Sequence, residues 1–289
     1  MICTILVIIL ATLFLCVIIL DKTCHTISLM LIANSCLTAV ILACILFSLS
    51  LFTLKNDFKQ INYEDSFCVF RAYMNYAVSA EFMFSFSLQA FYRYIIVVLP
   101  TRLSWQSVKF QLLLIFLTWA FSFTYPLVII FADRITYNVD NQICQLSLRL
   151  SFAIIYGASC IYIIPVSMTM FIYLKLVLYL KKQRDHMIII NTLTRAQRQL
   201  KMIQHIITLI NTIVTVGIPY GIFVFISFFT TPPKYHFRIA FVFTDASLLL
   251  VMIVLLQFTE PLKKSLLKRL PIIRPNTIVA AVVAVAGRT

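Results

Sequence analysis

Residues 68–100 read CVFRAYMNYAVSAEFMFSFSLQAFYRYIIVVLP, and this stretch decides the fold of the chain. It begins with Cys68, continues through an apolar segment whose one acid is Glu81, and reaches Arg93 after 25 residues. A helix of that length rises about 37 Å, which exceeds the roughly 30 Å hydrocarbon core of a bilayer. Cys68 therefore marks one edge of a predicted membrane-spanning helix, and Arg93 marks the opposite edge.

The composition of the whole chain is that of an integral membrane protein. Of its 289 residues, 62% are hydrophobic and 12% are charged, and the mean hydropathy is +0.98. Soluble domains carry about 45–50% apolar and about 25% charged residues, so a cytosolic enzyme, a disordered chain and a small disulfide-stapled module are excluded. Seven stretches are long and apolar enough to cross a bilayer as helices. They are residues 2–20, 27–52, 68–92, 110–131, 150–178, 203–229 and 239–258. We therefore predict an all-α membrane protein, a seven-transmembrane helix bundle.

The distribution of Lys and Arg predicts the orientation of this bundle. Cytoplasmic loops carry an excess of basic residues. The odd-numbered loops and the C-terminal segment hold 17 Lys and Arg, and the even-numbered loops hold 7. The N-terminus is thus predicted outside and the C-terminus in the cytoplasm. The net charge of +14 then reflects topology, so a lipid bilayer is the expected partner and no nucleic acid is.

Two of the eight cysteines lie in polar connecting sequence on the predicted outer side. Cys68 opens the third span, and Cys144 lies in the loop between the fourth and fifth spans. A disulfide persists in an oxidising compartment, and a bridge here would pin the loop to the top of the third helix. Two unpaired loop thiols remain the alternative at this point. Residues 1–270 are predicted to form the membrane domain, and residues 271–289 a short cytoplasmic tail.

The order of several residues along the chain resembles that of rhodopsin-like (class A) G-protein-coupled receptors. The sequence Phe91-Tyr92-Arg93-Tyr94-Ile95 resembles the Asp-Arg-Tyr motif of that family, with Tyr92 in place of the acid. Further matches are Cys68 and Cys144 at the family's disulfide positions, Pro100, Trp119, Pro165, Tyr173 and the helix-six proline Pro219. The resemblance covers roughly residues 20–270 and identifies the chain as a divergent member of this family.

The resemblance implies a plasma-membrane receptor that binds an extracellular ligand and couples to a heterotrimeric G protein. The residues implied in G-protein coupling and switching are Tyr92, Arg93, Tyr94, Tyr173 and Pro219. No catalytic residue, cofactor or metal is expected. Because Tyr92 cannot supply the acid that holds this arginine at rest, and Gln199 stands at the acidic position of helix six, we expect a weakened resting lock with some ligand-independent signalling.

Other positions depart from the family pattern. Gly217 replaces the helix-six tryptophan, and residues 252–256, Met-Ile-Val-Leu-Leu, stand where helix seven carries Asn-Pro-x-x-Tyr. Asn34 falls at the helix-two aspartate, which puts the family's internal sodium site in doubt. Three polar residues are predicted to be buried in the bundle. Acids within spans are functional candidates by default, so Glu81 and Asp245 join Asn34 in this group.

A ligand pocket is predicted near the outer third of the third and sixth spans. Its candidate residues are Tyr73, Asn75, Tyr76, Ser79, Tyr220 and Val224. Asn75 stands where amine receptors of the family carry an aspartate, and the seventh span has no lysine for a retinal Schiff base. A peptide or another non-amine ligand is therefore favoured.

Two other classes remain open besides the receptor. A polytopic channel or transporter would use Asn34, Glu81 and Asp245 as a polar path through the bundle. A degenerate receptor would fold and bind but no longer couple, since the helix-seven motif is missing. An enzyme is disfavoured because neither His-Glu-x-x-His nor Gly-x-Ser-x-Gly occurs in the sequence.

Overall fold

A computed structural model describes residues 1–21, 25–59, 66–132, 134–146, 148, 151–185, 217–218, 220–230 and 233–259. Its long helices follow the predicted spans in order. They are α1 (Ile2–Leu20), α2 (Ile27–Lys59), α3 (Cys68–Val98) and α4 (Val108–Phe131), then α5 (Phe152–Ala158), α6 (Ile164–Asp185) and α7 (His236–Phe258). Five segments of these helices are long and apolar enough to cross a membrane.

The second and third helices are longer than the apolar stretches that predicted them. Helix α2 continues to Lys59, beyond the predicted end of the second span at residue 52, so Lys55, Asn56 and Asp57 are helical. Helix α3 continues to Val98, one turn beyond Arg93. A helix satisfies its own backbone hydrogen bonds and can leave the bilayer without ending at its edge. The length of an apolar stretch therefore indicates how much of the helix lies in lipid. In α2 and α3 it does not indicate where the helix ends.

The fifth span is a helix with a widened turn in its middle. Helix α5 begins after Ser151, whose hydroxyl accepts a hydrogen bond from the Ile154 amide at 3.4 Å. A π-helical segment, Ser159–Ile163, then joins α5 to α6. Pro165 is the second residue after this segment, and a proline lacks the amide hydrogen and crowds the preceding turn. A π-helical turn is a common response to such a break in the hydrogen-bond ladder.

The sixth span is described only near one end. Residues 217–218 and 220–226 are helical, and the helix ends at residue 226, three residues before the predicted end at 229. Pro219 and most of the predicted span, residues 203–216, lie outside the described residues. The predicted cytoplasmic tail, 271–289, also lies outside them.

A two-stranded sheet, which the sequence did not predict, forms between α4 and α5. Strands β1 (Ile135–Asn138) and β2 (Ile143–Leu146) are antiparallel, with Ile135 opposite Leu146 and Asn138 opposite Ile143. The side chain of Asn138 accepts hydrogen bonds from both the amide and the side chain of Asn141, a turn-forming role typical of Asn. We call residues 135–146 the hairpin and the end of the bundle that carries it the disulfide end.

Three groups of buried apolar side chains hold the helices together. One joins α1, α2, α3 and α7 in the middle of the bundle and includes Phe14, Leu42, Val78 and Met252. A second lies at the disulfide end, where the hairpin packs on α3, α4 and α5. A third, around Ala90, Tyr173 and Leu176, joins α3 to α6 at the opposite end, which we call the Arg93 end. Large apolar side chains also cover the outside of the bundle, as lipid contact requires; they include Ile9, Phe116, Phe131, Phe171 and Val242.

Candidate functional site

A disulfide joins the hairpin to the first residue of α3. Cys68 and Cys144 are bonded, with their Cα atoms 5.4 Å apart, and both side chains are buried. The predicted pairing is confirmed, and the alternative of two unpaired thiols is excluded. The bond fixes the centre of β2 above the space between the helices.

Tyr76 clamps the same strand from below. Its hydroxyl donates a hydrogen bond to Oε1 of Gln145 and accepts one from the amide of Leu146 at 3.1 Å. The hydroxyl of Tyr125 on α4 donates to the carbonyl of Tyr76 at 2.8 Å. Gln145 Oε1 and the Leu146 amide of β2 are therefore paired with α3, whereas Gln145 Nε2 is buried without a hydrogen-bond partner among the described residues. The hairpin closes the disulfide end of the bundle as a packed cover.

The structure brings together three of the six predicted pocket residues. Tyr220 and Val224 pack against the buried group that contains Tyr76 and the hairpin. Tyr73 is placed differently, because its hydroxyl donates to the carbonyl of Phe123 at 2.8 Å and its tip points to α4. Asn75 is buried and Ser79 is half-buried on the same helix. The candidate pocket is thus centred on Tyr76, Tyr220 and Val224, directly beneath the hairpin.

Gly217, which stands in place of the family's helix-six tryptophan, has its space filled by another element. A Cβ atom built on Gly217 would collide with the hydroxyl of Tyr162. Tyr162 belongs to the π-helical segment of the fifth span. The widened turn therefore delivers an aromatic ring to the place where the sixth span carries no side chain.

Glu81 is fully buried and lies at the junction of three helices. Its Oε1 accepts hydrogen bonds from Asn34 Nδ2 on α2 and Thr118 Oγ1 on α4, both at 3.2 Å, and its Oε2 accepts one from Ser122 Oγ at 3.3 Å. The indole of Trp119 donates to Oδ1 of Asn34 at 3.0 Å. Trp119, a family landmark, is thus tied to Glu81 through Asn34. Asn34 faces α3 and α4, whereas Met252 is buried in the apolar group that includes α1 and α7.

A second buried polar group continues this junction toward the Arg93 end. Gln89 Nε2 donates to the hydroxyl of Ser35 at 2.7 Å, and Ser35 donates to Ser85 at 2.8 Å. The sequence did not single out these residues, nor Thr118 and Ser122. Their only signal was a polar side chain within an apolar span, which many exposed Ser and Thr share.

Asp245 lies apart from Glu81. Its Oδ2 is 3.6 Å from the α-ammonium nitrogen of Met1, and the side chain is only 10% exposed. The partners of Glu81 are on α2 and α4. Among the described residues, no hydrogen bond or ion pair links the two acids.

Ser87 ties α3 to the proline of the fifth span. Its hydroxyl donates to the carbonyl of Pro165 at 3.0 Å and lies 2.8 Å from the hydroxyl of Thr169. Thr169 also reaches the Pro165 carbonyl, at 2.7 Å. Two hydroxyl groups therefore meet one carbonyl oxygen next to the π-helical segment.

The predicted switch residues lie at the Arg93 end. Tyr92, Arg93 and Tyr94 are half-buried in the last turns of α3. The guanidinium of Arg93 is within electrostatic reach of Tyr173 on α6. The hydroxyl of Tyr173 is buried and has no hydrogen-bond partner in the part of the chain that the structure describes. Of the predicted group, Pro219 alone lies outside the described residues.

This helical bundle, with its disulfide-tethered hairpin, is the architecture of a seven-helix membrane receptor. Residues 10–256 match the family model "7 transmembrane receptor (rhodopsin family)", and the chain belongs to that family. The fold is similar to the crystal structure of squid rhodopsin, with a TM-score of 0.76 and 14% sequence identity over 93% of this chain and 83% of that chain. No sequence among the curated proteins compared with the chain matches it. The chain is therefore a rhodopsin-like receptor and a multi-pass membrane protein.

Proposed function

We propose that the chain is a plasma-membrane receptor that binds an extracellular ligand and activates a heterotrimeric G protein. The disulfide end would face the outside, which agrees with the persistence of the Cys68–Cys144 bond and with the excess of Lys and Arg in the opposite loops. The ligand would be a peptide or another non-amine, received beneath the hairpin near Tyr76, Tyr220 and Val224. The protein would have no catalytic activity of its own.

The observation that carries the proposal is the placement of Arg93. A cation at the end of a span usually extends to the polar interface, but Arg93 is half-buried beside Tyr173. A ligand that binds more tightly to the conformer with the sixth span displaced would shift the population toward it. Arg93 would then contact the G protein. The buried Tyr173 hydroxyl, which has no hydrogen-bond partner among the described residues, would pair with Arg93 or with the sixth span during that change.

A coupling screen tests this proposal. The chain, expressed at the cell surface, is assayed for nucleotide exchange on a panel of G proteins with a peptide library. Arg93→Ala is expected to abolish exchange, and Arg102→Ala, which changes an exposed arginine of the adjacent loop, is expected to retain it. Basal exchange above mock-transfected cells is expected because Tyr92 replaces the acid. Silence with every G protein at normal surface expression would favour the degenerate receptor, and ligand-independent ion currents in liposomes would favour a channel.

A further inference from the structure

Arg238 joins three parts of the disulfide end. Its guanidinium donates to both carboxylate oxygens of Asp57, at 2.7 and 3.0 Å, and so ties the first turn of α7 to the last turn of α2. Its Nε donates to the carbonyl of Asn141, in the turn of the hairpin, at 3.4 Å. One side chain therefore bridges α2, α7 and the turn between β1 and β2.

The same turn also caps helix α7. The residue before the helix, Tyr235, has a left-handed backbone with φ 66° and makes no capping hydrogen bond with its side chain. Instead, Oδ1 of Asn141 accepts a hydrogen bond from the amide of Arg238 at 3.4 Å. This amide is the third of the helix, which an N-cap side chain usually pairs. Asn141 is fully buried, so the turn and the start of α7 satisfy each other's polar groups.

The hairpin is attached covalently on one side and by these contacts on the other. Its strands lie between α4 and α5 in the chain, and the Cys68–Cys144 bond holds β2 to α3. At the turn, Arg238 supplies contacts with α2 and α7, beside a longer, exposed pair of Lys234 with Asp140 at 3.9 Å. Hydrogen bonds and ion pairs of partly exposed groups open more readily than covalent links. The turn is therefore the edge at which the cover can lift.

We propose that the turn of the hairpin, residues 139–142, is a gate that Arg238 holds shut, and that a ligand from outside enters between this turn, α2 and α7. The candidate pocket near Tyr76, Tyr220 and Val224 lies beneath the hairpin, so the cover must move before a ligand reaches it. The chain and the disulfide close the edges toward α3, α4 and α5. This inference rests on the proposed function, because it names the entrance to the proposed ligand pocket.

Cys160 provides a test that needs neither a ligand nor a G protein. Its free thiol is buried in the group of side chains that the hairpin covers. A charged reagent modifies such a thiol at a rate that follows the fraction of protein with the cover open. The full chain in detergent is treated with a sulfonated methanethiosulfonate, and mass spectrometry of the Cys160 peptide gives the rate. Cys36, buried in the middle of the bundle, reports general loosening.

Arg238→Gln removes the guanidinium and keeps a long polar side chain. Loss of a partly exposed ion pair and of one weak hydrogen bond should raise the modification rate of Cys160 about three- to tenfold, and the rate of Cys36 should not change. Lys234→Gln makes the same change of charge at an exposed lysine beside the gate, and as the matched control it should leave both rates unchanged. High salt should raise the Cys160 rate of the native chain, since it screens the pair, but not that of Arg238→Gln.

The gate is overturned if Arg238→Gln leaves the Cys160 rate unchanged, or if Lys234→Gln raises it equally. A parallel rise at Cys36 would also overturn it, because the loss of Arg238 would then loosen the whole bundle. If Arg238→Gln does not fold, the salt response of the native chain decides in the same way. Faster modification of Cys160 with a silent coupling screen would support the gate while the proposed coupling fails. An unchanged rate in a chain that couples would refute the gate alone.

Discussion

Replacing Glu81 tests whether the junction of α2, α3 and α4 works as a neutral hydrogen-bonded group. Thr118 has one hydroxyl hydrogen but lies near two acceptors, Glu81 Oε1 at 3.2 Å and the Ile115 carbonyl at 2.9 Å. If the hydrogen goes to Ile115, a protonated Glu81 can donate to Thr118 or Ser122. A buried, uncharged acid avoids the cost of an unpaired charge in the membrane. Gln is neutral, has the same shape and can donate and accept at the same places.

The expected effects follow from the bonds that each variant keeps. Glu81→Gln retains an oxygen for Asn34 and an amide that Ser122 can accept from, so its unfolding free energy should change by less than about 0.5 kcal/mol. Glu81→Leu leaves Asn34 Nδ2 and Ser122 without their partner, while Thr118 keeps its Ile115 bond. Interhelical hydrogen bonds in membranes contribute about 0.6 kcal/mol on average and at most about 1.7. Two of them give a loss of about 1–3 kcal/mol.

The assay is the fraction of monodisperse protein that survives a series of temperatures in detergent. A loss of this size lowers the midpoint by several degrees, at about 2–4 °C per kcal/mol. Ser167→Ala, which removes an exposed hydroxyl from α6, is the control and should leave the midpoint unchanged. The reasoning is refuted if Glu81→Gln is as unstable as Glu81→Leu, because the junction would then require a charged carboxylate.

Three further predictions concern the disulfide end. The double replacement Cys68→Ser, Cys144→Ser should lower stability by up to about 4.5 kcal/mol, since the bond closes a loop between cysteines separated by 76 residues; reductant should lower the midpoint of the native protein alone, and an unchanged midpoint would contradict this. Tyr76→Phe should cost about 1 kcal/mol and speed amide hydrogen exchange at Leu146, whose partner is lost; unaltered exchange there would count against the clamp. Arg238 binds both oxygens of Asp57 at 2.7 and 3.0 Å, but the pair is partly exposed. A double-mutant cycle of Arg238→Gln and Asp57→Asn should therefore give a coupling free energy of about 0.2–1 kcal/mol. A coupling above about 2 kcal/mol would contradict this, because it would require a desolvated pair.

The sequence predicts the helices well because a membrane imposes a strong, simple rule. Every backbone group inside lipid must be paired within its own helix, so apolar length alone indicates a span. The hairpin escaped prediction because no such rule acts on it. Its two strands pair with each other, and the Cys68–Cys144 bond and the Tyr76 hydroxyl hold β2 to α3. Those are contacts between distant parts of the chain, which local pattern does not contain.

The candidate site was predictable in its landmarks but not in its pairings. Cys68 stands out because it lies in polar connecting sequence, and Arg93 and Trp119 stand out because their residue types are rare in the apolar spans. The partners of Trp119 and Glu81 do not stand out. Whether Asn34, Thr118 and Ser122 face these residues depends on how each helix is rotated about its axis, and sequence spacing does not give that rotation. Tyr73 shows the same limit, because it lies on the correct helix but its hydroxyl turns to α4.

The departures from the family pattern fit a bundle whose buried polar contacts lie between α2, α3 and α4 rather than at the position of the helix-seven motif. Asn34, at the predicted position of the helix-two aspartate, turns toward α3 and α4 and shares Glu81 with Thr118. Met252, where helix seven carries a polar motif, is fully buried among apolar side chains of α1, α2 and α3. Helix α7 packs through apolar side chains at this level. None of its described residues contributes a polar side chain to the Glu81 junction. The polar contact of Ser87 with Pro165 joins α3 to the fifth span, whereas Met252 places only apolar packing between α7 and its neighbours.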